Sequence, residues 1–113
     1  GTDFETQEEP DKERRSKSKD KLLIKMPDGE YIANDSALDT FLEVVWQLGI
    51  EDIRKKDLSW GGNPLVTNKK IAKNQVQVDS NRWIIVPNTT KDKVKLLRVI
   101  GAMLHIKMDI NII

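Results

Sequence analysis

The chain has 113 residues, 38% of them hydrophobic and 33% charged, with a net charge of +1 and no cysteine. That length holds one ordinary domain and not two; no run of roughly 18 apolar residues offers a membrane span, and no basic start followed by an apolar stretch reads as a secretory signal. The missing thiols exclude disulfides and thiolate metal sites, so the expectation is a cytoplasmic protein with no cofactor.

Charge is uneven along the chain. Residues 1–21 hold six Lys/Arg and seven Asp/Glu, residues 22–57 four and eight, and residues 58–113 nine and three. The middle is therefore net −4 and the last part net +6, an asymmetry that can orient a partner or ligand. Two oppositely charged solvated faces are the plainer explanation.

Residues 1–20 contain one large hydrophobe, Phe4, amid charge, Ser, Thr, Gln and Pro10. Too little apolar surface is present there to offset the entropy of ordering, so a disordered charged linker or tail is expected. Gly1 is not a natural start, and the sequence reads as a piece of a longer protein.

A single α+β domain over residues 21–113 is expected to follow. Leu22 to Met26 has strand composition, Pro27-Asp28-Gly29 is a turn, and Glu30 to Ala33 returns as the second arm of a hairpin. Ser36 and Asp39 are spaced to open a helix. Ala37, Leu38, Phe41, Val44, Val45 and Leu48 fall on one face of that helix, and Gly49 ends it. Trp46 lies at the edge of the apolar face, expected to pack under a loop, with exposure as a partner anchor the alternative.

A short helical piece with Ile53 inward is expected over Ile50–Lys56. Leu58-Ser59-Trp60 and Pro64-Leu65-Val66-Thr67 read as strands around a Gly61-Gly62-Asn63 turn. A basic loop follows, carrying Lys69, Lys70 and Lys73. Gln75 to Val78 alternates and should keep one wet face. Arg82 to Val86 barely alternates, so it is expected to be the middle strand, covered on both faces with Trp83 buried.

Thr89 and Asp92 repeat the earlier helix-opening spacing. Leu96, Leu97, Ile100, Met103 and Leu104 cluster on one side of the second helix, while Lys91, Lys95 and Arg98 form the opposite stripe. Lys93 starts on the apolar side and should reach past the core edge. Ile106 to Ile112 alternates without a break and predicts a closing strand. The sum is an α+β fold: a mostly antiparallel sheet of about five to seven short strands with two main amphipathic helices.

No constellation points to catalysis. His105 is the single histidine, with no nucleophile or ligand at a recognisable spacing, and the glycine pair at 61–62 lacks phosphate-loop spacing. A non-catalytic binding or oligomerisation module is therefore expected. The C-terminal strand is the place for self-association or a protein partner, with Trp46 and Trp60 as contact candidates. Nucleic acid or another polyanion is the alternative partner. It would be bound by Lys69, Lys70, Lys73, Lys91, Lys95 and Arg98, because cations neutralise phosphates and nearby aromatics stack on bases.

Pro27-Asp28-Gly29, Thr40-Phe41, Gly49, Pro64-Leu65-Val66, Trp83-Ile84-Ile85 and the run from Thr90-Lys91 to Leu96-Leu97 resemble an uncharacterised small bacterial domain. That domain stands at the C-terminal end of longer proteins, some of them linked to DNA restriction or modification. The resemblance covers residues 22–113 and carries no catalytic residues. It implies an appended module behind a linker and is compatible with nucleic-acid contact.

Overall fold

The structure is a computed structural model that describes residues 20–113; the expected disordered tail, but for Asp20, lies outside the described residues. Strands β1 (Leu22–Lys25) and β2 (Tyr31–Ile32) form the first hairpin. Its turn follows from its residues. Gly29 takes φ +90°, its N–H reaches the Met26 carbonyl at 2.9 Å, and the Asp28 carboxylate accepts the Glu30 N–H at 2.9 Å.

Helix α1 (Ala37–Leu48) opens on Ser36, whose hydroxyl accepts the Asp39 N–H at 3.0 Å. The Thr40 side chain is buried in it and accepts the Asn34 N–H at 2.8 Å, tying the helix to the chain leaving β2. Gly49, at φ +101°, ends α1 and starts α2 (Ile50–Lys55), a geometry that a side chain would strain.

Strands β3 (Ser59–Trp60) and β4 (Asn63–Pro64) flank Gly61 and Gly62, both at positive φ, as a tight two-residue hairpin turn requires. Strand β5 (Val66–Thr67) leaves that hairpin and pairs with β7 (Arg82–Ile85), which also pairs with β6 (Gln75–Asp79). β7 is thus the middle strand of its sheet. Helix α3 (Thr90–Leu104) opens on the Thr89 hydroxyl, which accepts the Asp92 N–H at 3.0 Å. The last strand, β8 (Asp109–Ile112), returns to lie antiparallel beside β1.

The fold is α+β. Among the described residues, three helices accompany eight short strands in orders β2-β1-β8, β3-β4 and β5-β7-β6, all antiparallel. The count reaches eight because four strands are only two residues long. One apolar cluster joins the two larger sheets. Leu22, Ile24, Ile32 and Ile110 come from the first; Val66, Ile84 and Ile85 come from the other. Phe41, Val44, Val45, Ile53, Leu96, Leu97 and Ile100 fill the space between them from the helices.

Several expectations are corrected. The alternating run at 106–112 is strand only over Asp109–Ile112. Ile106 is used otherwise: its N–H bonds the Gly101 carbonyl at 2.8 Å and the His105 N–H bonds Ala102 at 3.2 Å, with His105 left-handed at φ 58°, ψ 40°. That pair of bonds is a Schellman helix stop. Trp46 is 55% exposed instead of packed under a loop, and Leu38 and Met103 also stand in the open. Trp83 is half-buried. Gln75 is buried, which breaks the wet face expected of Gln75–Val78.

Lys93 does not escape the core edge. It is 7% exposed, and its ammonium donates to the Asn88 carbonyl at 3.3 Å. Burial pushes its pKa below the ordinary lysine value.

Candidate functional site: the open edge of the C-terminal strand

Among the described residues, β8 has one paired side and one open side. Lys21 and Ile113 exchange two backbone hydrogen bonds, of 3.2 and 2.9 Å, across the β1–β8 ladder. Alternation along an antiparallel pair makes Leu23/Asn111 and Lys25/Asp109 the bonded pairs. The N–H and C=O groups of Ile110 and Ile112 then point the other way, where no described strand pairs with them. The opposite edge of this sheet is the two-residue β2, and β8 is the longer edge, a template for another strand.

A groove of 390 Å³ runs beside that edge, lined by Lys91, Val94, Lys95 and Arg98 of α3 and by Ile110, Asn111 and Ile112 of β8. The helical positions at 91, 94, 95 and 98 share one face. Val94 is buried under it, while Lys91, Lys95 and Arg98 stay exposed. Among the described residues, no carboxylate lines the groove. Ile112 is 43% exposed at its rim and Ile113 is exposed beyond it.

The expected cationic set is therefore divided. Lys91, Lys95 and Arg98 come together on the wall of the edge groove. Lys73 lies in a different, shallower groove with Asn88 and Lys93. Lys70 stands with its ammonium 5.9 Å from the centre of the Trp83 ring. Lys69 is exposed on the same loop, where its carbonyl accepts the Thr67 hydroxyl at 2.7 Å. Of the two contact tryptophans, Trp46 is exposed on α1, and Trp60 is half-buried against the core. Neither lines the edge groove.

The basic loop is held by a residue that the sequence alone did not single out. Buried Gln75 accepts the Ile71 and Ala72 N–H groups through Oε1, at 2.6 and 3.0 Å, and donates through Nε2 to Thr67 at 2.8 Å. A glutamine four residues beyond a loop amide carries no strong signal, because the bond depends on β6 and β5 meeting through β7. Gln75→Leu is expected to destabilise the fold by about 1–3 kcal/mol, since it strands two loop amides. Urea unfolding checks this; an unchanged midpoint would contradict the assigned role.

A larger cleft of 590 Å³ is lined in part by Arg54, Asp57, Ser59, Thr67, Asn68 and Arg82. Its cations are already matched. The Glu51 carboxylate accepts from Arg54 Nε at 3.0 Å and from Arg82 Nη1 at 3.3 Å, and Asp79 accepts from Arg82 Nε at 2.7 Å. The hydrogen bond from Arg82 holds the Asp79 carboxyl below its usual range, and the one from Arg54 does the same for Glu51. Such a closed ion network braces α2 against the β6–β7 hairpin and leaves little unsatisfied charge for a ligand.

His105 sits exposed at the end of α3 in its helix-stopping conformation. Among the described residues, no group of three or more His, Asp or Glu side chains is placed to hold a metal ion, and no helix is long and apolar enough to cross a membrane.

Comparison with protein families, with curated proteins and with solved structures finds no match for the chain. The site's geometry and charge therefore carry the functional reading.

Proposed function

We propose that the chain is a non-catalytic polypeptide-binding module that takes an extended segment onto the open edge of β8. The observation that carries this is the outward amide and carbonyl groups of Ile110 and Ile112 beside a formed groove. Main-chain bonds to such an edge supply affinity, and the flanking side chains supply selectivity. The reading keeps the cytoplasmic placement expected of a cysteine-free sequence. It also suits an appended bacterial module, as implied by the resemblance to a domain at the C-terminal end of longer proteins, some of them linked to DNA restriction or modification.

Oligomerisation through the same strand is the weaker version. Two copies paired edge to edge about a twofold axis would set two Lys91/Lys95/Arg98 walls beside one seam, and like charges there oppose association. Sedimentation at low salt is expected to show a monomer.

Selection of displayed random peptides on the chain tests the main reading, with Ile112→Pro as the discriminating variant. The Ile112 N–H faces outward, so proline there removes an edge donor while leaving the β1–β8 ladder bonded. The expected outcome is a set of peptides that bind the native chain and are lost on the variant. A failure to enrich any peptide, or winners indifferent to proline at 112, would contradict it.

A second reading, polyanion contact, is favoured by one observation: the Gln75-held loop presents three lysines, one of them over the Trp83 ring. Titration with short DNA and RNA at low salt measures it. Micromolar binding that falls steeply with salt supports the loop as a phosphate contact, and millimolar or undetectable affinity ends the idea.

A further inference from the structure

The edge-binding reading leaves the chemistry of the incoming strand open, and the following rests on that reading. We infer that the partner is an acidic extended segment carrying carboxylates at alternate positions. Directly opposed residues of an antiparallel ladder point to the same face. Leu22 and Ile24 face the core and are fully buried, so their partners Ile112 and Ile110 face the same way, toward the helix layer. Residues of an added strand lying opposite Ile110 and Ile112 share that face and meet the wall of Lys91, Lys95 and Arg98.

The spacings agree. Along α3 the step from Lys91 to Lys95 is about 6 Å and from Lys95 to Arg98 about 4.5 Å at the helical rise. Every second residue of a strand advances about 6.7 Å. For a strand lying along α3, two or three alternating carboxylates would come level with the three cations, which have no acidic neighbour in the groove among the described residues. The other face of β8 carries Asp109 and Asn111, opposite Lys25 and Leu23. A carboxylate on that face would meet Asp109, which selects alternation over a continuous acidic run.

The test is calorimetric titration of the full chain with two synthetic peptides. One is a Thr/Val strand with Glu at every second position; the other is its Gln isostere. The chain's own sequence carries alternating acids at Asp3, Glu5 and Glu9, so Asp3, Glu5, Glu8 and Glu9 are changed to their amides to remove a competitor. Expected is about tenfold tighter binding of the Glu peptide at low salt, the size of a few exposed ion pairs acting together. That preference should vanish in the triple variant Lys91→Gln, Lys95→Gln, Arg98→Gln and shrink as salt screens it. Ile112→Pro should weaken both peptides, and circular dichroism of each variant establishes that it is folded.

Equal affinity for the two peptides, with both lost on Ile112→Pro, overturns the acidic partner and leaves the edge reading standing. Binding of neither peptide overturns both, and so does Glu-peptide binding that ignores Ile112→Pro. Dimerisation through this edge in sedimentation, or tighter binding of a DNA oligonucleotide at the same wall, also overturns the acidic partner.

Discussion

Replacing Phe41 by alanine is expected to destabilise the fold by about 3–5 kcal/mol. Phe41 is fully buried on the inner face of α1, in the cluster that α2, α3 and both larger sheets share. Its removal takes away the largest core side chain. The space it leaves is walled by elements fixed to one another through β1–β8 and β5–β7 pairing, so collapse into it is limited. A domain of this size is stable by only about 5–15 kcal/mol, so a substantial part of the total is at stake. Urea unfolding followed by tryptophan fluorescence reads it. A loss under about 1 kcal/mol would mean that α1 does not pack as described.

The second large effect is at Gly101, where valine is expected to destabilise by about 2–3 kcal/mol through overpacking. A Cβ built there would stand 2.8 Å from Met108 Cε and 3.0 Å from the Ile106 carbonyl oxygen. The methionine end can move. The Ile106 carbonyl cannot move as easily, since the Ile106 N–H is bonded to Gly101 itself. Alanine at the same position gains up to about 1 kcal/mol of helix propensity, and that gain is set against the contact with the Ile106 carbonyl. Valine brings further bulk to the same place and should also displace the chain leading into β8. Gly101→Ala near neutral beside a strongly destabilised Gly101→Val is the expected pattern. Equal stability of both would show that the α3–β8 corner is looser than it stands here.

Local features were the legible part of this fold. Ser36 and Thr89 open their helices, Gly49 stops α1, and Gly61-Gly62 makes a hairpin turn, because each conformation is decided within a few residues. The middle strand was legible because Arg82 to Val86 barely alternates, and it stands at Arg82–Ile85. Positions whose fate depends on distant elements were not. Trp46 sits at a wheel edge that is buried or bare according to what covers α1, and nothing described covers it. Lys93 is held inward by a carbonyl at Asn88, a bond that periodicity does not report. Ile106 kept its alternation in sequence, yet the left-handed turn at His105 diverted its amide to Gly101. An open terminal strand could be expected from chain order. That its free side faces half of the basic set, and not all six cations, follows only from β8 lying beside β1 under α3.

The claim that joins fold to function is that Ile110 and Ile112 offer unpaired main-chain groups to an incoming strand. Amide hydrogen exchange resolved by residue, with and without the Glu-alternating peptide, tests it most directly. Fast exchange is expected at Ile110 and Ile112 in the free chain, slow exchange at Leu23 and Asn111 in both states, and marked slowing at Ile110 and Ile112 once peptide is bound. Slow exchange at Ile110 and Ile112 before any peptide is added, or no change on saturation, would contradict it.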